Sequence, residues 1–377
     1  MSDPFLCLEC WRMVPLLDAY GECPLCLADP DPWTRPGEER QKIRDLLETT
    51  WWQRLSQQLG EEPEEPRCRL HPESPLRLFC PCRQALSSSL RLRSRKPQAI
   101  GLVGPKASGK SHLLVAMVDA LQRHPEHSVG LLGLGETEKR FGDLSRRILE
   151  ERMSLMPTRP GDDHTRHFAW EVLAGQRPGT GRSQRLLATY DVAGETWENL
   201  SQEASETLGR YLSHLGSLAL LIDGAAIAED LRLPGHDTWA QRPQPSDQGA
   251  ADRYLLRLLI DRLGSGQKRQ ARLALVVTKS DLLWEHPDYA ALAPEATPLG
   301  DDRQQELLRQ LLERSGRRQL VLAAEQHFKE LRLFAASSLG FRPTPATVDA
   351  DGRLNRPIRP HGVVEPLLWM LDLRGVG

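Results

Sequence analysis

The chain has 377 residues, 40% hydrophobic and 27% charged, with a formal net charge of -2, a composition that excludes a disordered or fibrous protein and leaves room for one large core or two to three smaller ones. So little net charge gives no bulk attraction to nucleic acid or anionic lipid, and no apolar run reaches the ~18 residues needed to span a bilayer. The opening MSDPFLCLEC has neither the basic start nor the apolar stretch of an export signal, so a cytoplasmic protein without a membrane span is expected, with nucleic acid disfavoured as a partner.

In chain order the cysteines come first. All seven lie at or before Cys82, a ligand pattern rather than a scattered core pattern. Cys7, Cys10, Cys23 and Cys26 form C-x2-C-x12-C-x2-C, in which each pair can aim two thiolates at one tetrahedral ion. A first zinc site in a ribbon over residues 1–30 is expected from them. Cys68, His71, Cys80 and Cys82 supply a complete Cys3His set, and a second zinc module is expected over 67–90. Disulfides would need an oxidising compartment. Residues 31–66 include EERQKIRDLLETTWWQRLSQQL, whose spacing predicts a helical connector. That separation argues against a cross-braced, RING-like arrangement, and Trp51 and Trp52 read as packing residues. Both ligand sets are full, so the zinc is expected to be structural, with partner docking as a further use. SSSLRLRSRK then reads as a solvated basic joint.

From residue 97 the pattern changes. The apolar run QAIGLV is predicted as a strand, GPKASGKS follows it, and KSHLLVAMVDALQRH has the spacing of a helix. Gly104 to Ser111 satisfies G-x4-G-K-[ST], a loop whose backbone N–H groups cradle phosphates. Gly104, Pro105, Lys106, Ala107, Ser108, Gly109, Lys110, Ser111 and the adjoining His112 are therefore the phosphate-side candidates. Lys110 is read as neutralising the outer phosphates and Ser111 as a magnesium ligand.

HSVGLLGLG reads as a strand, KRFGDLSRRILERM as a helix, and HFAWEVL as a strand antiparallel to the next one, RLLATYD. The last ends in Asp191 and the turn D-x-x-G, where a carboxylate reaches the magnesium shell and the Gly194 N–H can sense a γ-phosphate. SLALLIDGAA places Asp223 after a buried strand, and residues 233–249 read as an insertion before the helix ADRYLLRLLIDRLG. RLALVVTKSD ends a strand in Thr278, Lys279, Ser280 and Asp281. The Asp281 carboxylate can accept from the ring N–H and the exocyclic amine of guanine, while the Lys279 stem covers the base. Adenine presents a lone pair where guanine has that ring N–H, so the aspartate favours guanine. RLFAASSLG follows, with a backbone N–H among Ala336, Ser337 and Ser338 placed for guanine O6. Each signal closes a predicted strand, where open α/β sheets bind ligands.

GPKASGKS, DVAG, TKSD and ASSLG, in that order, resemble the loops of the P-loop GTPases of the Ras and translation-factor class over roughly residues 97–377. With the cysteine segments, TYDVAGE and PHGVVEPLLWML, the chain is similar more narrowly to the bacterial double-GTPase group of predicted conflict and signalling systems. The resemblance implies GTP and GDP, magnesium held by Ser111 and Asp191, base contacts from Lys279 and Asp281, and an operon-encoded partner, with a second GTPase as one form of it. Homodimerisation is a further possibility for this class. Thr278 stands where asparagine is commoner. Glu195 follows D-x-x-G where a water-orienting glutamine is common, and its charge would repel phosphate. Lys106 replaces a glycine of Ras-like members. For the first-switch threonine, a magnesium ligand and catalytic candidate, Thr158 comes first, then Thr165 and Thr137.

The expected fold is a doubly wound, mostly parallel α/β sheet of the P-loop type, preceded by small zinc-binding modules and closed by the helix VVEPLLWML. The expected activity is that of a GTP-binding switch with slow magnesium-dependent hydrolysis. Two alternatives stand beside it: an ATP-driven switch with Asp223 as magnesium ligand, and a zinc-finger adaptor whose nucleotide site does not turn over.

Overall fold

The computed structural model describes residues 5–7, 10–15, 18–25, 41–42, 73–82, 85–86, 98–105, 107–123, 129–134, 137–153, 166–174, 185–191, 202–233, 248–263, 271–296, 300–349 and 351–371. The chain divides into two compact units, Met1–Pro97 and Gln98–Gly377.

The first unit is built from short strands. β1 (Phe5–Leu6) pairs with β2 (Met13–Val14), and β3 (Tyr20–Glu22) lies between β4 (Gln41–Lys42) and β5 (Arg77–Phe79). β6 (Ala85–Leu86) closes that sheet beside β5. The two cysteine segments, expected as separate modules, thus share strands. The helix expected across the connector lies outside the described residues, apart from Gln41–Lys42, which are extended. Phe5, Val14, Ala19 and Leu86 form a small core with Cys7, Cys10 and Cys80.

The second unit holds a seven-stranded sheet. Its elements are β7 (Gln98–Val103), α1 (Lys110–Arg123), β8 (Val129–Gly133), α2 (Thr137–Ser145), β9 (Arg166–Ala174), β10 (Arg185–Asp191) and α3 (Gln202–Ser213), then β11 (Leu215–Asp223), α4 (Gly224–Asp230), α5 (Gln248–Arg262), β12 (Arg272–Thr278), α6 (Asp301–Arg314), α7 (Arg318–His327), β13 (Glu330–Ala335) and α8 (Val364–Met370). The strand order is β13-β12-β11-β7-β10-β9-β8. β7 and β10 to β13 are parallel apart from β9, which runs antiparallel to β10, with β8 antiparallel to β9. Antiparallel pairing of HFAWEVL with the strand that ends in Asp191 is as the sequence predicts.

Burial explains the strand types. Leu218 to Ile222 of β11 are all fully buried, the continuous apolar run of a strand covered on both faces. Ile100 and Leu102 of β7 pack with α1, α2 and α8 in the main core. Gly101, on the opposite face by strand alternation, lies under the hydroxyl of Tyr211 from α3. Helices therefore cover both faces at β7. At the antiparallel end Phe141, Phe168 and Trp170 make edge and stacked contacts with centroids 5.0 to 5.8 Å apart. Among the described residues no helix is long and apolar enough to cross a membrane.

Among the described residues the Arg317 side chain is fully buried. Arg317, before α7, bonds Asp252 of α5 at 2.9 Å and Asp230 of α4 at 2.6 Å. Burial pushes the Asp252 carboxyl up to about 6 against the attraction of Arg317. Removing the arginine would strand a buried carboxylate, so Arg317→Ala is expected to cost about 3–5 kcal/mol. Urea unfolding of the second unit measures it, with a loss under about 1 kcal/mol as the contrary result.

Candidate nucleotide site and metal centre

The parallel strands end together. Asp223 of β11 pairs with Thr278 of β12, and Val277 pairs with Ala335 of β13, so their loops meet the one that follows β7. That loop needs its glycines. A Cβ on Gly104 would lie 2.7 Å from Leu221 Cβ, and Gly109 has φ 83° while Ala107 has φ 61°. The Lys110 ammonium donates to the carbonyls of Gly104 at 2.7 Å and Pro105 at 3.1 Å, so it lies across its own loop. Ser111 occupies the first turn of α1, where N–H groups and the helix dipole favour anions. His112 bonds the backbone of Met153, and burial with the nearby Lys279 charge pushes its imidazole down to about 4. Lys106 lies outside the described residues.

Thr278 faces the phosphate loop. Its hydroxyl bridges the Ser108 carbonyl at 2.7 Å and the Ile222 carbonyl at 3.1 Å, fixing the loop to two strands. The next residue, Lys279, is left-handed at φ 51°. Its ammonium pairs with Asp223 Oδ2 at 3.0 Å, while Asp223 Oδ1 accepts the Ala225 N–H at 2.9 Å and caps α4. This packing requires Gly224, because a Cβ there would meet the Thr278 carbonyl at 2.2 Å. Asp223 is thus engaged by the TKSD lysine as well as by its own helix.

Asp281 is buried and accepts a short hydrogen bond from the Ser337 hydroxyl. Burial pushes its carboxyl up to about 6, opposed by Ser337 and by the charges of Lys279 and Arg342. The Ala336 N–H donates to Val277 and the Ser337 N–H to His361. Among the described residues neither the Ser338 nor the Leu339 N–H has a protein acceptor.

Asp191 ends β10 beside β9. Gly194, Glu195, Thr158 and Thr165 lie outside the described residues. Thr137 does not suit a first-switch ligand: it is buried, and its hydroxyl accepts the Ala169 N–H at 3.0 Å, tying α2 to β9.

In the first unit Cys7, Cys10, Cys80 and Cys82 have sulfurs all within 4.8 Å of one another. Four thiolates about 2.3 Å from one zinc would sit about 3.8 Å apart, so the set fits a tetrahedral ion. Hydrogen bonds shared with Cys10 and Cys80, together with burial, hold the Cys7 thiol above its ordinary range. This corrects the expected ligand sets, which joined Cys7 and Cys10 to Cys23 and Cys26, and Cys80 and Cys82 to Cys68 and His71. The cause is the β3–β5 ladder, which brings residue 79 beside residue 20. Cys23 is buried at the other end of the ladder, 3.7 Å from the Ser74 hydroxyl. Cys26, Cys68 and His71 lie outside the described residues.

A glycine-rich phosphate loop opening α1, with an aspartate and a left-handed lysine at the adjacent strand end, defines a P-loop nucleotide-binding domain. The chain belongs to the Double-GTPase 2 family, whose model matches residues 98–339, and is a P-loop GTPase of the double-GTPase type. Among curated proteins no relative matches this sequence. Solved structures similar to it include the signal recognition particle receptor SRb-GTP/SRX complex from Chaetomium thermophilum, at 15% identity and TM-score 0.32, covering 67% of this chain and 95% of that one. The Arl6 BBS3 small GTPase from Trypanosoma brucei with bound GppNp is 10% identical at TM-score 0.30, covering 73% and 96%. A nucleolar GTP-binding protein 1 from Plasmodium falciparum is 12% identical at TM-score 0.31, covering 75% and 89%.

The raised Asp281 has opposite effects on stability and binding. In the free chain its contribution to stability is fullest below the ordinary carboxyl range near 3.8 and is lost as pH rises through about 6. A protonated carboxyl cannot accept two N–H bonds, so GDP affinity is expected to fall by up to about tenfold per pH unit below about 6. Calorimetric titration across this range checks it, and Asp281→Asn should flatten the profile. Thr278→Val leaves two carbonyls without their shared donor and is expected to lower stability by about 1–3 kcal/mol, read by thermal unfolding.

Proposed function

We propose that this chain is a guanine-nucleotide switch that slowly hydrolyses GTP to GDP and phosphate with magnesium. The observation that carries the reading is the shared sheet end at which Lys110, Lys279 and Asp281 stand, the last held by Ser337. The N–H groups of Gly104–Ser111 take the phosphates, and Lys110 turns from its own carbonyls to the outer ones. Ser111 and Asp191 would hold magnesium, which neutralises charge on the β- and γ-oxygens. Asp281 accepts from the guanine edge, Lys279 covers the base face, and the Ser338 N–H meets O6. Thr158 serves as first-switch ligand and the Gly194 N–H senses the γ-phosphate.

In the reaction a water oxygen bonds the γ-phosphorus as the bond to the β–γ bridging oxygen breaks. GDP leaves with that electron pair, and the water proton passes to phosphate or solvent. The charge of Glu195, which follows D-x-x-G where a water-orienting glutamine is common, makes the intrinsic step slow, and a protein partner supplies the missing group. The family resemblance supports such a partner, a second GTPase included, in a bacterial signalling or defence setting. The ATP-switch reading is not favoured, because both Asp223 oxygens are engaged, one by Lys279 and one by Ala225.

For the first unit we propose a zinc at Cys7, Cys10, Cys80 and Cys82, and a second zinc at Cys23, Cys26, Cys68 and His71. The position of Cys23 beside Ser74, three residues after His71, supports the second assignment.

Titration of the magnesium-loaded chain with GDP, a non-hydrolysable GTP analogue and the matching ATP analogue tests the nucleotide reading. A guanine preference of roughly 100-fold is expected, lost in Asp281→Asn. ATP binding indifferent to Asp281 would overturn it. Phosphate release slower than about 0.01 per second is expected without a partner; equal GDP and GTP affinity with no release favours the adaptor reading. Metal analysis should find two zinc per chain and one after Cys80→Ser. A wild-type content below two removes the second site.

A further inference from the structure

After β13 the chain does not run straight into its last helix. It passes the Ser337–Gly340 loop, makes a short turn at Pro345–Thr347, and pairs Val348 with Leu354. It then returns along the loop it has just left. The Arg359 N–H donates to the Leu339 carbonyl at 2.8 Å and the His361 N–H to the Ser337 carbonyl at 2.9 Å. In exchange the Ser337 N–H donates to the His361 carbonyl at 2.8 Å. The return segment also reaches the other base-side loop, because the His361 ring meets Trp284 edge-on at 5.8 Å.

Two glycines set how closely this segment lies. A Cβ on Gly340, φ 75°, would fall 1.8 Å from the Arg359 carbonyl, and one on Gly362, φ 66°, would fall 2.2 Å from the Ala335 carbonyl. Both positions combine a left-handed backbone with backbone atoms as neighbours, so neither admits a side chain without moving the segment.

Ser337 sits at the centre. Its backbone is bonded on both sides to His361, its hydroxyl oxygen accepts the Gly340 N–H at 2.9 Å, and its hydroxyl donates to Asp281. A hydroxyl has one proton. With an N–H fixed on its acceptor side, that proton is aimed at the carboxylate rather than free to rotate. One Asp281 oxygen is thereby anchored, which fixes the plane of the carboxylate and the direction in which the other oxygen faces a base.

We propose that the return segment Pro357–Gly362 is a working part of the base site, and that Gly340, His361 and Gly362 are positioning residues for guanine discrimination. They act through Ser337 on the orientation of Asp281. The proposal rests on the guanine-binding reading above. It implies that selectivity for the exocyclic amine depends on a segment about eighty residues beyond Asp281 in the sequence, one that matches no nucleotide-binding motif and lies past the end of the family match.

The test is Gly362→Ala in the full chain, titrated with GDP and with IDP, whose base lacks the exocyclic amine. A general loss of packing weakens both nucleotides equally. Misplacement of the carboxylate weakens GDP more, so the GDP-to-IDP preference should fall by about tenfold, the worth of one hydrogen bond to a charged group. Ser337→Ala should lower it similarly. A folded Gly362→Ala chain with the wild-type ratio, or with both affinities reduced in proportion, overturns the proposal. Should that variant not fold, hydrogen exchange on the wild-type chain decides: the Ser337 and His361 amides should slow on GDP addition and slow less with IDP, and equal rates with the two nucleotides overturn it. A wild-type chain that does not bind GDP overturns the reading of the site itself, which the variant ratio alone does not.

Discussion

Parallel register is the constraint on which the nucleotide face depends. Asp223 opposite Thr278, and Val277 opposite Ala335, bring three loops to one line. The hydroxyl of Thr278 then stitches the phosphate loop to that line through Ser108 and Ile222. A one-residue slip of β12 would turn Thr278 to the other face of the sheet and break both bonds at once. The buried run Leu273, Ala274, Leu275, Val276 and Val277 of β12 opposes such a slip, because those side chains would lose their core contacts together.

Charge is managed around this line by pairing and by geometry. Lys279 takes a left-handed backbone, and Asp223 holds its ammonium while also capping α4. Asp281 is partnered by a hydroxyl, with no cation in hydrogen-bond contact among the described residues, so burial makes its ionised form costly in the free chain. A ligand that brings two N–H donors relieves that cost. Arg317 anchors the far end of α4 through Asp230, so the helix that begins at Asp223 is held at both ends.

Much of the second unit was legible in the sequence because its signals are local. The apolar run and glycine spacing around Gly104–Ser111 dictate strand, loop and helix within thirty residues, and alternation in HFAWEVL identifies a strand covered by the aromatic cluster. Ligand type was equally legible in the first unit, since thiol pairs declare themselves by spacing. Which pair joins which was not, because a β ladder between residues 20–22 and 77–79 decides it, and those strands are three residues long. The same limit applies to Asp223 and Lys279. Each closes a recognisable strand, yet their ion pair exists only through the register between β11 and β12. Thr137 misleads for the converse reason: a threonine at a loop end looks available until the Ala169 N–H occupies its oxygen.

The hydrogen bonds between Ser337 and His361 also bear on the birth of the protein. The loop around Ser337 is completed by residues 359–361, and the phosphate loop emerges from the ribosome about 250 residues earlier. A nascent chain therefore carries its glycine loop without the base-side loops over those roughly 250 residues, and a β11 edge without its partner over the roughly fifty that precede β12. A base site completed so late in the chain exists only once the sheet is assembled, so a nucleotide held there stabilises the finished domain by mass action.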